Sequence, residues 1–392
     1  MKILINASSS TAGGGITYLS NILNQILKSG EKKTYFLFVI QEIVKVLKGG
    51  ANLVIMPIPK FFTKNYITRV LWEQVFVVFS AKKLKVDVFF STGNSGPFFL
   101  PIKHILFSRN AIFYSRDFDR DLILRKHYFK YLLNKLKRIW SILSILRADI
   151  NLVPTKAFGE HIKKECRILR NTDFKTLYHG FDRDFFTKDK DPLPEEARKK
   201  LKLDENYKRI LLVSHYNYFR NFETLIKAIP DIKKGVPGEK IMVVMTTDIQ
   251  KGINYGGFDA TYASDLIDEL NVREDIAMLG KIPYSKLHRL YEICDVSISP
   301  SYAETFGHPM VEAMAMGTPV LAANTPIHKE ICRDSALYFN VFEEKDLAEK
   351  CSRILKDPGL SLSLRNKGKD RYKIFSWEKH LLELTELFDK LG

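Results

Sequence analysis

Ser299-Pro300-Ser301-Tyr302-Ala303-Glu304-Thr305-Phe306-Gly307-His308-Pro309-Met310-Val311-Glu312-Ala313-Met314-Ala315-Met316-Gly317-Thr318-Pro319-Val320 closes a buried strand at Ser299, crosses a loop and enters a helix near Pro309. Proline suits a first helical turn, because its missing N–H would have no partner there anyway. In open α/β sheets, ligands bind beyond the carboxyl ends of the strands. This loop lies at such an end, and the helix N-terminus offers free amides and a partial positive charge suited to a diphosphate. Gly307 lets backbone approach a ligand closely. Glu304 and Glu312 stand eight residues apart, more than two helical turns, so they are no contact pair on one helix. Two carboxylates so placed can grip different parts of one elongated ligand, since each accepts paired hydrogen bonds from vicinal hydroxyls. The plainer reading is a helix whose Met and Ala residues face a core, with two incidental glutamates.

The same rhythm runs outward on both sides. The 392 residues are too many for one ordinary core and suggest two domains of about 150–200 residues. In the first half, short apolar runs over 2–6, 35–40, 53–58, 86–91, 104–108, 149–153 and 175–178 alternate with helix-period segments. Ile16, Leu19, Ile22, Leu23 and Ile26 mark one helical face; further helices are expected over 65–83 and 116–147. The charged stretch around Pro192 and Pro194 reads as a connection. Strands then recur over 209–214, 240–246, 277–279, 296–299 and 319–322, and a last helix over 377–391 carries Leu381, Leu384, Leu387 and Phe388. Alternating strands and helices argue parallel sheets covered on both faces. The expected organisation is a domain over 1–188, a linker over 189–206, a second domain over 207–376, and a terminal helix over 377–392 that packs back towards the first.

Composition is globular, at 45% hydrophobic and 27% charged, with a mean hydropathy of −0.13. No run of about 18 apolar residues marks a spanning helix, and Met1–Asn6 reads straight into a strand, so no secretory leader is expected. Four scattered cysteines, Cys166, Cys294, Cys332 and Cys351, form no Cys-x-x-Cys pair. Reduced cytoplasmic thiols are therefore expected. Net charge is +16 and uneven: residues 1–190 hold 32 Lys/Arg against 14 Asp/Glu, leaving 29 against 31 in 191–392. A first half at +18 beside a second at −2 points to a polyanionic partner for the first.

The Glu-x7-Glu frame, with Glu304-Thr305-Phe306-Gly307 ahead of Glu312-Ala313-Met314-Ala315-Met316-Gly317-Thr318-Pro319-Val320, resembles the retaining glycosyltransferases of family 4. The turn Leu279-Gly280-Lys281-Ile282-Pro283 and the Trp377 helix fall in the order that resemblance expects. It implies a GT-B fold: two Rossmann-like α/β domains whose parallel sheets face each other across a cleft. It implies transfer of a hexosyl group, with retention, from a nucleoside diphosphate sugar (UDP or GDP) to an acceptor hydroxyl, with no further cofactor. Glu312 would bind the donor ribose and Glu304 would lie beside the transferred sugar. Phe306, Gly307 and His308 would offer backbone contacts to that sugar. The amides of Met310 and Val311 would meet the diphosphate, and Gly280, Lys281 and Ile282 would flank the base.

Breaking a sugar–diphosphate bond leaves negative charge that a metal or fixed cations must neutralise. No metal is expected, and the loop Val213-Ser214-His215-Tyr216-Asn217-Tyr218-Phe219-Arg220-Asn221 offers the alternative. By resemblance, Arg220 takes a lysine's place at the phosphates and His215 an arginine's. A neutral imidazole stabilises less charge; an exposed surface arginine is the plainer reading of Arg220. Gly13, Gly14 and Gly15 follow the first strand and would present amides to phosphate or sugar, without the spacing of a dinucleotide fingerprint. Asn110, in Ser108-Arg109-Asn110, stands where relatives carry a histidine; it can hydrogen-bond a hydroxyl but is no general base. Acceptor activation would then fall to the leaving diphosphate.

Residues 115–147 combine Arg125, Lys126, Lys130, Lys135, Lys137, Arg138 and Arg147 with Tyr128, Phe129, Tyr131, Ile139 and Trp140. Two readings stand: a helix docked on an anionic membrane, or an ordinary domain helix with its apolar side in the core and its lysines solvated. No nucleic-acid module is visible. The acceptor is expected to be a saccharide or lipid-linked, in cell-envelope synthesis, with the protein cytoplasmic and peripheral on the inner membrane face. The rivals are a GT-B-fold nucleotide-sugar isomerase and a non-catalytic sugar-nucleotide or membrane-surface binding protein.

Overall fold

The computed structural model describes residues 1–10, 14–30, 32–45, 47 and 49–392. The chain forms two compact units. Unit 1 comprises Met1–Ser115, Arg125–Gly180 and Phe375–Gly392; unit 2 comprises Arg116–Leu124 and Phe181–Ile374.

Among the described residues, unit 1 holds seven strands: β1 (Lys2–Asn6), β2 (Thr34–Ile40), β3 (Leu53–Ile58), β4 (Val88–Ser91), β5 (Lys103–Phe107), β6 (Ile150–Val153) and β7 (Phe174–Thr176). They pair in parallel, in the order β3-β2-β1-β4-β5-β6-β7. Side chains alternate across the sheet. Ile3 and Ile5 join a core formed with Tyr18, Leu19, Ile22 and Leu23 of helix Gly14–Ser29, whereas Leu4 joins Trp72, Val77 and Ala81 on the other face. The C-terminal helix Trp377–Leu391 packs into the first of these cores through Trp377, Leu381, Leu384 and Phe388.

Two helices expected as continuous are interrupted. The 65–83 segment is α-helical over Tyr66–Leu71, π-helical over Trp72–Phe76 and α-helical again over Val77–Leu84. The wide π turn brings neighbours Trp72 and Glu73 inward together. Such turns concentrate at functional sites. The 116–147 segment divides into helices Arg116–Leu124 and Tyr128–Arg147, parted where Lys126 takes a left-handed φ of 59°. The shorter piece belongs to unit 2.

Unit 2 contains β8 (Tyr207–Leu212), β9 (Lys240–Met245), the hairpin strands β10 (Asn254–Tyr255) and β11 (Phe258–Asp259), β12 (Ile276–Met278), β13 (Val296–Ser299), β14 (Val320–Ala323) and β15 (Ala336–Phe339). A parallel six-stranded sheet runs β12-β9-β8-β13-β14-β15. The stretch 189–206, expected as a linker, falls within this unit. It holds helix Glu195–Lys200, Lys200 donates to the Met278 carbonyl at 2.9 Å, and buried Arg209 donates to the carbonyls of Leu201, Lys202 and Glu205.

Candidate active site

The order of the second sheet locates its site. Successive strands move outward from β8 through β9 to β12, then return to β13 on the other side of β8. A crevice opens at such a reversal, beyond the carboxyl ends of the two central strands. β8 and β13 are paired, Ile210 against Val296 and Leu211 against Ser297, so the loops that follow them emerge side by side.

The loop after β8 is held by polar contacts to the segment that follows β9. Ser214 N–H donates to Thr246 Oγ1 at 3.0 Å and Tyr216 N–H to Thr247 Oγ1 at 3.3 Å. Asn217 caps a 3-10 turn, Tyr218–Arg220. Asn221 then takes a left-handed φ of 55° and ties this loop to the next by donating to the Pro300 carbonyl at 3.2 Å. This geometry delivers Arg220 to Glu304, with which its guanidinium forms an ion pair, and to Ser301 Oγ at 3.4 Å. Burial lowers the Arg220 pKa to about 10, so the guanidinium remains charged near neutrality. Arg220 is therefore no loose surface cation. The His215 imidazole is pushed below its ordinary pKa, first by loss of hydration and then by the Arg220 charge. It adds hydrogen-bonding capacity here rather than a second cation.

The loop after β13 carries Glu304, Phe306 and Gly307 into helix His308–Met316. Gly307 takes φ +89°, so the backbone of this corner calls for glycine, while the atom a Cβ would meet, the Met310 methyl at 2.3 Å, ends a flexible side chain that can move aside. Met310 N–H turns back to the Gly307 carbonyl at 3.1 Å; this amide, expected at a diphosphate, has a backbone partner here. Val311, one residue on, is buried, and the His308 ring lies 5.1 Å from that of Phe306.

Glu312 is buried at 4% exposure. Its Oε2 accepts from the Tyr291 hydroxyl at 2.8 Å, and Tyr284 donates to the same carboxyl. Burial pushes its pKa up to about 7, against the pull of the two hydroxyls. A carboxylate offers about four lone-pair positions, so these tyrosines leave acceptor capacity. Gly280, Lys281 and Ile282 follow β12 at the same carboxyl edge; Gly280 has φ +67° and faces Asp248. Lys281 is exposed and Ile282 buried.

Several partners escaped sequence reasoning. Tyr284 and Tyr291 hold Glu312 from the preceding helical segment, with no short-range signal to mark them. Asp121, from the part of the first half that joins unit 2, accepts a hydrogen bond from Tyr302 two residues before Glu304. Ser301 lay within the stretch first read, but its contact with Arg220 depends on the β8–β13 pairing.

Unit 1 places its own expected residues separately. The Asn110 side chain caps the turn Ala111–Tyr114, accepting from Ile112 N–H at 3.2 Å. The side chain of neighbouring Arg109 donates to the Thr92 carbonyl at 2.7 Å, its backbone N–H donates to Asn94 Oδ1 at 2.7 Å, and its guanidinium lies 4.2 Å from the Tyr18 ring centroid. Gly14 opens helix Gly14–Ser29 with open space about it, whereas a Cβ on Gly15 would meet Ser10 Cα at 3.1 Å. Gly13 lies outside the described residues. Glu73, on the π turn, accepts from Ser95 Oγ at 2.8 Å, Ser8 Oγ at 3.1 Å and Asn6 Nδ2 at 3.4 Å. Burial raises its pKa. Among the described residues, no group of three or more His, Cys, Asp or Glu side chains is placed to hold a metal ion.

The sequence model of the family described as glycosyl transferases group 1 matches residues 194–371. Unit 2 is a glycosyl transferases group 1 domain. The ion pair, the Gly307 corner and the buried Glu312 all fall within this group 1 domain. A D-inositol 3-phosphate glycosyltransferase of Corynebacterium aurimucosum is 27% identical over 212 residues, 53% of this chain and 49% of that protein. An alpha-monoglucosyldiacylglycerol synthase of Streptococcus pneumoniae is 27% identical over 157 residues, covering 39% of this chain and 33% of its own. The chain spans about half the length, or less, of these curated relatives. HepE of Anabaena, solved in complex with UDP-glucose, superposes over 100% of both chains with a TM-score of 0.72 at 16% identity. The chain therefore has the GT-B fold, with two Rossmann-like parallel-sheet domains of which the group 1 domain is the second.

Proposed function

We propose that the chain is a retaining glycosyltransferase that moves a hexosyl group from a nucleoside diphosphate sugar to an acceptor hydroxyl, without a metal. The observation that carries this reading is the Arg220–Glu304 ion pair at the reversal point of the group 1 sheet. A guanidinium fixed there can exchange its carboxylate partner for a donor diphosphate, leaving Glu304 beside the sugar. Glu312, with acceptor positions beyond its two tyrosines, would take the ribose hydroxyls, while Gly280, Lys281 and Ile282 would flank the base. Val311 and the Gly307 corner would offer backbone to the phosphates and sugar, with Phe306 and His308 beside them.

Transfer would proceed on one face of the sugar. The bond from the anomeric carbon to the diphosphate oxygen breaks, the acceptor oxygen bonds to that carbon, and the acceptor proton passes to the departing phosphate. Arg220 would stabilise the growing phosphate charge. UDP is the nucleotide we favour over GDP, on the likeness to the fold of HepE with UDP-glucose. A lipid-linked or envelope saccharide acceptor fits the +18 first half and the Streptococcus relative's glucosyldiacylglycerol name. It would place the protein peripherally on the cytoplasmic face of the membrane; no helix of the described residues is long and apolar enough to cross one.

The test is radiolabelled donor turnover. Wild type is expected to release UDP only with sugar transferred or hydrolysed, and Glu304→Ala to abolish both while retaining its melting temperature. Conversion of donor to an isomeric nucleotide sugar without acceptor would replace this reading by the isomerase one. Undiminished turnover by folded Glu304→Ala would remove Glu304 from the chemistry.

A further inference from the structure

Helix Tyr128–Arg147 in unit 1 is inverted relative to an ordinary domain helix. Its buried positions include Asn134, Ser141 and Ser144. Asn134 donates to the Ile112 carbonyl at 3.0 Å, Ser141 meets Tyr114 at 2.8 Å, and Ser144 bonds the Gly96 amide at 3.2 Å. The outward positions are Phe129, Leu132, Leu136, Ile139, Leu143 and Leu146, between 41% and 77% exposed. At about 100° per residue these six fall within roughly one third of the helix circumference. The reading of this helix as an ordinary core element is thereby excluded, because its leucine face is the one turned out.

A second exposed stripe adjoins it. Ile67, Leu71, Val75 and Phe79 recur at four-residue intervals along 66–84 and are all exposed. Lys137 of the long helix lies 5.4 Å from the Tyr66 ring, which joins the two helices, and Trp140 packs 4.5 Å from Phe98. Phe99 is 76% exposed with Arg147 5.5 Å from its ring. Monomers seldom leave so much large apolar surface in water without a partner.

Charge selects the partner. Residues 125–147 contain seven Lys/Arg and no Asp or Glu; residues 60–85 contain one acid, Glu73, which is buried. Lys60, Lys64, Lys82, Lys83 and Lys85 are exposed around the second helix. A second copy of this face would set lysine against lysine. An anionic bilayer answers both features, since acyl chains take the leucines and phenylalanines while headgroup phosphates take the cations.

We infer that the Tyr128–Arg147 helix and the adjoining 66–84 segment form a docking face for an anionic phospholipid bilayer, with the leucine stripe entering the acyl boundary. The inference gives a surface to the peripheral placement proposed above and uses nothing of the donor chemistry, so either can fail while the other stands.

The test is co-sedimentation of the full chain with vesicles of phosphatidylcholine alone and with about a third phosphatidylglycerol, at low salt and about 0.5 M salt. Wild type should bind the anionic vesicles and bind less in high salt. Leu136→Glu with Leu143→Glu should weaken partitioning on the order of a hundredfold, and Phe79→Asp on the second helix about tenfold. Leu362→Glu, at an exposed leucine of unit 2, should leave it unchanged, and all variants should keep the wild-type melting temperature and UDP binding. Absence of binding to anionic vesicles at low salt would overturn the inference. So would equal binding by the folded leucine variants, equal loss in Leu362→Glu, or a vesicle-free dimer that Leu136→Glu with Leu143→Glu converts to monomer.

Discussion

Glu312→Gln probes the buried carboxyl with almost no change of shape. In the native chain burial raises the Glu312 pKa from an ordinary 4.5 to about 7. The folded state then holds a proton that the unfolded state releases between those values, so stability falls as pH rises across that window. The difference of about 2.5 units, at about 1.36 kcal/mol each, is worth roughly 3 kcal/mol. At 4% exposure solvent screening does not erase it. Glutamine can still accept from Tyr291 and can donate to the Tyr284 oxygen, but it carries no titrating proton. Urea unfolding of both proteins at about pH 4.5 and about pH 8 gives the comparison. Relative to Glu312→Gln, wild type should lose about 3 kcal/mol on going from the lower pH to the higher. If Glu312 also receives ribose hydroxyls, UDP affinity should rise with pH through about 7 in wild type and stay flat in the variant. A stability difference that does not change with pH would refute the assignment of a raised pKa. A matching pH profile of UDP binding in both proteins would take Glu312 out of the nucleotide site.

Arg220→Ala should lower the turnover number about 100- to 1,000-fold with the fold intact, the usual cost of losing a charge-stabilising donor; single-turnover kinetics with a circular dichroism control decide it. Activity should survive EDTA, and a complete loss restored by magnesium would contradict metal-free stabilisation of the leaving group. Glu73→Ala should cost about 1–3 kcal/mol by stranding the Asn6, Ser8 and Ser95 donors, measurable by urea unfolding, whereas Glu73→Gln should recover part of it. Thermal shift with UDP, GDP and ADP should rank UDP first, and a larger shift with GDP would reassign the nucleotide.

Local periodicity sufficed for the strands of the two parallel sheets other than β15, and for helices such as Gly14–Ser29 and Trp377–Leu391, because burial of alternating or helix-spaced apolar residues is a local constraint; β15, the β10–β11 hairpin and the helices between 326 and 371 were not read from it. It also sufficed for the loop from Ser299 to Gly307 and its helix, whose proline, glycine and two glutamates are contiguous. The interruptions at the π turn and at Lys126 were not legible. Both depend on which neighbours lie beneath, Trp72 with Glu73 in one case and the separate packing of Arg116–Leu124 in the other. The inverted helix is sharper still. Its composition is compatible with a core leucine face, and only the polar partners Ile112, Tyr114 and Gly96 reveal which side is buried.

The amino-acid sequence alone determined the α/β alternation, the concentration of cations in the first half and the candidate carboxylates at 304 and 312. Each is a property of residue order or composition. The tertiary structure alone decided that Arg220 meets Glu304 and that Glu312 is enclosed by Tyr284 and Tyr291. It alone turned a leucine stripe outward. Those outcomes depend on strand order and long-range packing, which bring together residues separated by 21 to 84 positions and which no local pattern encodes.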